Sequence, residues 1–487
     1  MNSKIITAIA LFIGLLIAIV LAIQVGQGEF KTVYVTMLLI FSVPIVLLLG
    51  LRSWYILPFA MLAELPAIPL IGDKAVSLSE FGIALFSGLM VLAVIQGKEL
   101  FRVKLGDWWP MLLYGAWVLM IAMINGGGFA ILGSASMGGR RHLTVFIALI
   151  GMLMLSQIKI REKEAKRVCW LIVASIALSG LYMAVSTMIG RFNTQVAHEF
   201  YSWQQGLSSV GLGGVLLLFA KHSPSRVMRS PLYAILYMTL LAVVIYSGKR
   251  MTFGACCVIP IIACFWHRQA IIALVVTLAG ALIITSAVWI QNEVTPIPKS
   301  MQRVLAFIPA DWDWDVKDST INTFRETLNR WAVIYIEENP VLGKGVSLTG
   351  NDFALMSDPQ YISQIKLPDD DILAFPHIAG KNWHSTWLGL AASFGIPLAV
   401  FWVFVQLFVL RGTWKLGHKT RLTDWRSVLM GILFFLMCVG VIRAMTSGDV
   451  AVLAMAGGLT LGLMSAVKNG LREEWREENR KTAVDNA

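Results

Sequence analysis

Runs of about 20 apolar residues, each long enough to cross the roughly 30 Å hydrocarbon core of a bilayer, recur from one end of this chain to the other. They begin with "IITAIALFIGLLIAIVLAIQV" at residue 5 and end with "AVLAMAGGLTLGLMSAV" at residue 451. Inside lipid every backbone N–H and C=O must be satisfied within the segment, which an α-helix does alone. The expected fold is therefore an all-α polytopic integral membrane protein with about 12–14 transmembrane helices. A composition of 57% hydrophobic and 14% charged residues, with mean hydropathy +0.71, excludes a soluble enzyme. The first run is too long for the apolar part of a signal peptide and lacks a small-residue cleavage site, so it is expected to be a true span.

The runs fall near 5–25, 33–51, 54–72, 77–96, 107–125, 142–158, 168–190, 206–221, 231–248, 251–267, 269–290, 385–410, 427–444 and 449–467. The third holds Glu64, Pro58, Pro66 and Pro69 and is expected to be broken or re-entrant. With a cytoplasmic N-terminus, about 24 of the 40 Lys and Arg residues fall in inner loops and the tail. About eight fall in short outer loops. That bias in short loops sets orientation. Both termini are then cytoplasmic. The chain divides into N-terminal transmembrane helices (1–290), a large outer loop (291–384), C-terminal transmembrane helices (385–467) and a cytoplasmic tail (468–487). The net charge of +11 is thus a matter of orientation, and no nucleic-acid partner is expected. All five cysteines fall within predicted spans, which leaves no disulfide framework and no metal-ligand spacing.

The loop carries thirteen acids against eight bases, a helical patch at "STINTFRETLNRWAVIYIEEN" and turn signals at "NPVLGKG" and "LPDDD". Its Trp, Phe and Ile content argues against disorder. "DWDWD" and "DDD" could attract a divalent cation, but like-charge runs are more often solvated faces, and no metal or cofactor is expected. Several cations stand against the inside bias: Arg140 and Arg141, Arg191, Arg443, and Lys249 with Arg250 in the tight turn "VIYSGKRMTFGA". Each could anchor to anionic headgroups. The last pair, set among small residues, offers donors and room together. A guanidinium fork meets phosphate oxygens in a two-pronged way that lysine cannot.

Three stretches in order resemble the family of O-antigen ligases and Wzy-type O-antigen (exopolysaccharide) polymerases. "YSGKRMTFGACCVIP" is similar to its Ser-Arg-Gly turn, with Arg250 at the arginine. "RETLNRWAVIYIEENPVLGKGV" resembles its loop helix, closed by a Pro-hydrophobic-x-Gly-x-Gly turn at Pro340, Gly343 and Gly345. "WHSTWLGLAASFGIPLAV" resembles its His-Asn-x-aromatic-Leu segment, with His384, Trp387, Leu388 and Gly395 in place. Ser385 replaces the usual Asn, and Met251 a small residue. Arg325, fifteen residues before Pro340, suits the family spacing better than Arg330.

The resemblance implies an inverting glycosyl transfer on the periplasmic face of the bacterial cytoplasmic (inner) membrane. The donor is a glycan on undecaprenyl diphosphate. The acceptor is a lipid-linked repeat for a polymerase, or a lipid A core (in some relatives a protein) for a ligase. Arg250, Lys249 and Arg325 or Arg330 would bind the diphosphate and stabilise its growing charge. His384 would relieve the acceptor hydroxyl of its proton, a role that an ordinary histidine suits near neutral pH. His377 is its rival, His198 a weaker one, and Arg443 and Arg191 are possible additional site residues. The competing class is a polysaccharide exporter or flippase. Carriers, however, place polar groups at the midplane, and here they gather toward one face. The acid excess of the loop disfavours a phosphate-rich core acceptor, which favours the polymerase reading over the ligase.

Overall fold

The computed structural model describes residues 54–63, 68–69, 75–95, 108–124, 140–193, 204–306, 308–313, 320–346, 383, 385–443 and 450–485. The predicted spans 5–25 and 33–51 lie outside them. The protein is an all-α polytopic membrane protein, with sixteen α-helices among the described residues. In chain order they are α1 (Ile56–Leu62), α2 (Leu78–Ile95), α3 (Trp109–Ile124), α4 (Arg140–Leu155), α5 (Glu162–Asn193), α6 (Gln204–Lys221), α7 (Pro224–Arg229) and α8 (Pro231–Tyr246). They continue with α9 (Arg250–Trp266), α10 (Ala270–Trp289), α11 (Lys299–Leu305), α12 (Thr320–Glu338), α13 (Thr386–Phe394), α14 (Ile396–Lys419), α15 (Trp425–Arg443) and α16 (Val450–Asp485). Four of these segments are long and apolar enough to cross a bilayer outright, and six shorter apolar helices pack with them.

Two of the expected spans are interrupted, the first as its prolines suggested. Among the described residues the stretch 54–72 holds the seven-residue α1, which rises about 10 Å, too little to cross the membrane by itself. It is followed by a two-residue antiparallel pairing of Ile68–Pro69 (β1) with Ala75–Val76 (β2). The stretch 385–410 is two helices, broken at Gly395.

Helices without a hydrophobic drive between them associate where small residues let backbones approach. Gly206 of α6 faces Gly180 of α5 so closely that a Cβ on either would strike the other's carbonyl oxygen. The core then fills with large rings. Trp266, at the end of α9, is wholly buried among Trp414, His418, Phe434 and Phe435. Helix α10 lies at the periphery, with Ile271, Leu274, Leu278 and Leu282 all exposed, as a helix facing acyl chains would be. Helix α16 runs unbroken from apolar residues into the charged "REEWREENRK". Its extension is tied down by Lys159–Glu473 (2.6 Å), Arg161–Glu477 (2.9 Å) and Arg426–Glu474 (2.6 Å).

Candidate functional site

The site is built on an arm. Helix α12 places Leu328, Trp331, Ala332, Tyr335 and Ile336 at i, i+3, i+4, i+7 and i+8, a single apolar stripe. The stripe packs on Trp383, Leu388 and Ala392 in a small core separate from the bundle. Trp383 is buried, its ring 5.4 Å from that of Tyr335. The arm therefore covers the residue just before His384, and Ser385 just after it caps α13.

The turn that ends α12 explains the Pro-hydrophobic-x-Gly-x-Gly pattern. Gly343 and Gly345 both take positive φ (65° and 68°), which L side chains rarely adopt. The turn lies against the break between α13 and α14. Lys344 N–H donates to the Ala392 carbonyl (2.9 Å), Gly345 N–H to Ser393 (2.7 Å), and Ile396 N–H to the Pro340 carbonyl (2.8 Å). The Trp117 indole donates to the Phe394 carbonyl (2.9 Å). These bonds occupy backbone groups that a helix break at membrane depth would otherwise leave bare. Gly395, at φ 86°, has no room for a Cβ, which would strike the Val341 carbonyl. The motif glycine of the loop and the one after the histidine are two halves of one joint.

The cations meet nearby. Ser247 is buried, its hydroxyl donating to the Val244 carbonyl (2.6 Å), and Gly248 turns the chain at φ 68°. Lys249 caps α9 without a side-chain cap bond, so the positive end of that helix dipole opens on the turn. Arg250, the first residue of α9, donates from Nε to the carbonyl of Arg303 on α11 (2.5 Å). The guanidiniums of Arg325, on α12, and Arg303 both lie close enough to repel that of Arg250. Arg330 is also exposed on α12. Among the described residues no carboxylate forms an ion pair with Arg250, Arg303 or Arg325.

The sequence reading missed Arg303. Helix α11 is short and polar, and its arginine sits between residues that turn out to be buried (Gln302, Val304 and Leu305), a pattern too brief to read as periodic. His384 and His377 lie outside the described residues, as do His198 and Asp369 to Asp371. Arg191 and Arg443 fall in the last turns of α5 and α15, with side chains outside the described set. Asp311 and Asp313 have structural partners. Gln291 donates to the Asp311 carbonyl (2.6 Å), and the Asp313 N–H to Gln302 Oε1 (2.9 Å).

Guanidiniums gathered beside the N-terminus of a helix can hold a multiply charged anion. Residues 229–403 match the family model for O-antigen ligase. The matched segment runs from the end of α7 into α14, and so contains the arginine turn, the arm and the Gly395 joint. It supports the O-antigen ligase family, and with it a glycosyl-transferring enzyme acting on a lipid-linked glycan and an acceptor. No curated protein matches the chain.

Proposed function

We propose that the protein is an inverting membrane glycosyltransferase that moves a glycan from undecaprenyl diphosphate to an acceptor hydroxyl, and that it polymerises repeats of an O-antigen or exopolysaccharide. The observation that carries the reading is the convergence of Arg250 and Arg325, without acid partners among the described residues, beside an arm that seats the residue before His384. In the reaction, the bond from the anomeric carbon to the diphosphate oxygen breaks and a bond to the acceptor oxygen forms. His384 takes the acceptor proton, and the departing lipid diphosphate gains one negative charge. The arginines stabilise that gain, which makes their contribution larger in the transition state than in the ground state. Holding donor and acceptor together supplies the rest.

A ligase to the lipid A core is the second reading, favoured by the description of the matched family. The product that builds up in a deletion strain separates the two. Loss of a polymerase leaves single repeats on the lipid carrier or core. Long chains held on undecaprenyl diphosphate would replace our reading with the ligase. If neither accumulates, the exporter reading takes its place.

The site belongs on the outer face of the cytoplasmic membrane, with both termini inside. A cysteine at Ser319, in a chain without its native cysteines, should react with an impermeant maleimide in intact spheroplasts. Labelling only after lysis would overturn that orientation.

A further inference from the structure

We infer that Arg303 is a third anion-binding residue of this site, and that the three arginines form a cradle for a diphosphate as opposed to a single phosphate. The inference rests on the reading of the site given above and extends it to a residue outside the three family-like stretches.

Arg303 is held by a brace whose other members have no evident task. Its neighbour Gln302 is buried and fully engaged. Gln302 Nε2 donates to the Ile297 carbonyl (2.8 Å) and to Asp313 Oδ2 (3.2 Å), and its Oε1 accepts from the Asp313 N–H (2.9 Å). Gln291, also buried, accepts from Ile297 N–H (2.8 Å) and donates to the Asp311 carbonyl (2.6 Å). Val304 and Leu305 are buried on the far side of the same turn. Asn292 adds a further tie, accepting from the Asp311 N–H (3.0 Å). Two buried amides and a buried tryptophan, Trp312, thus fasten α11 and leave the side chain of Arg303 exposed and near Arg250. Its Cδ lies in ordinary contact distance (3.8 Å) of where a side chain on Gly248 would begin, so the stem runs along the arginine turn.

The bond from Arg250 sharpens the point. Nε of Arg250 is committed to the Arg303 carbonyl, which leaves the two terminal amino groups of that guanidinium without a protein acceptor among the described residues. Neither Arg303 nor Arg325 has a side-chain acceptor there either. Among the described residues no acid offsets these like charges, and a bound anion relieves their repulsion. Three fixed positive charges and an uncapped helix end exceed what a phosphate monoester needs. They suit a diphosphate diester with two charges, which becomes a lipid diphosphate with up to three when its glycosyl bond breaks.

The test uses the full-length protein in detergent micelles. Binding of undecaprenyl diphosphate and undecaprenyl monophosphate is measured beside phosphatidylglycerol, and transfer kinetics are followed where turnover occurs. The variants are Arg303→Gln, which keeps the backbone carbonyl that Arg250 uses, Arg303→Lys, and Arg229→Gln as a distant control. We expect Arg303→Gln to weaken diphosphate binding about tenfold and to lower kcat more than it raises KM. Arg303→Lys should recover part of the loss, while monophosphate and phosphatidylglycerol binding should be weak and unchanged. Wild-type diphosphate binding and kcat in Arg303→Gln, with both lost in Arg250→Gln, would reduce Arg303 to a backbone brace and leave the proposed function standing. Equal binding of mono- and diphosphate would make the cluster a headgroup anchor and overturn the inference. Diphosphate binding unchanged in both variants would overturn the proposed function as well.

Discussion

The two ends of helix α9 treat charge in opposite ways. At the Trp266 end several charged or titratable side chains are engaged by acids, rings or carbonyls. Arg426 forks onto Asp424 and reaches Glu474, and all three partners are at least half shielded. Lys221 and Lys166 lie over the Trp425 ring, 4.5 Å and 5.5 Å from its centroid. Both ring nitrogens of His418 face carbonyl oxygens, of Trp414 and Trp266, at 2.9 Å. At the Arg250 end three arginines approach one another with no acid partner among the described residues. The paired cations hold the bundle together, and the others keep hydrogen-bond capacity that no described residue takes up. Charge without an acid partner among the described residues is the more informative of the two patterns, because structure alone does not require it.

The largest expected effect breaks the Arg250 end. Arg250→Lys preserves charge but loses the fork and the bond to the Arg303 carbonyl. Activity should fall about 100-fold, the scale of losing one preorganised donor to a developing anion, at unchanged membrane abundance. Arg325→Ala should cost more than Arg330→Ala, since Arg325 lies close enough to repel Arg250. Near-normal activity in Arg250→Lys, or the reverse ranking of the loop arginines, would leave the cluster as an interfacial anchor.

Next in size is a pair of substitutions that should dissociate activity from stability. Gly395→Ala places a Cβ against the Val341 carbonyl at a φ of 86° and should loosen the arm. We expect activity to fall about tenfold, by misplacement of groups far from the change, with little shift in the thermal midpoint, since the small core around Trp383 is separate from that of the bundle. Arg426→Ala should do the reverse. Stripping a shielded pair of one member costs about 3–5 kcal/mol when burial is complete, and less here because Glu474 is more open to water. A stability loss on the order of 2 kcal/mol with activity within twofold is expected. The comparison fails if both variants lose activity and stability in parallel.

Much of this was legible in residues. Apolar run lengths placed most of the helices, because a bilayer demands a fixed length of apolar chain and little else. Pro58, Pro66 and Pro69 with Glu64 marked a run whose described part is the short α1. The Gly-x-Gly turn and Gly395 stood out singly, but nothing in one sequence says that residues fifty apart share a joint, since their backbone bonds leave no side-chain pattern. Gly395 also ends one helix and starts the next inside a run that reads as continuous. Arg303 was hidden for a related reason. Its neighbours are buried glutamines, and a glutamine engaged with backbone looks in sequence like any solvated one.

The smallest effect concerns pH, and it sharpens the contrast because arginines do not titrate in the range where histidines do. His267, in the turn after α9, has its pKa lowered. Burial is the main cause, opposed by the Phe219 carbonyl at 2.9 Å from Nε2 and reinforced by His418. His222 is also lowered, by burial first and then by Arg226, Lys221 and His267, with its ring stacked on Tyr233 at 4.3 Å. A histidine whose folded pKa lies below its unfolded value of about 6.5 binds fewer protons folded than unfolded. Its contribution is therefore complete above about pH 6.5 and is lost as the pH falls below that value through the folded pKa. The thermal midpoint should be flat from pH 8 to 7 and then decline gently toward pH 5.5, by less than Arg426→Ala removes. His267→Gln, which can still donate to the Phe219 carbonyl, together with His222→Gln should flatten the decline. Diphosphate binding at the Arg250 end should stay level over the same range in wild type and variant. A decline unchanged in the double variant would clear these two histidines. Binding that weakened together with the midpoint would mean that the two ends of α9 are not independent, and the contrast drawn between them would not hold.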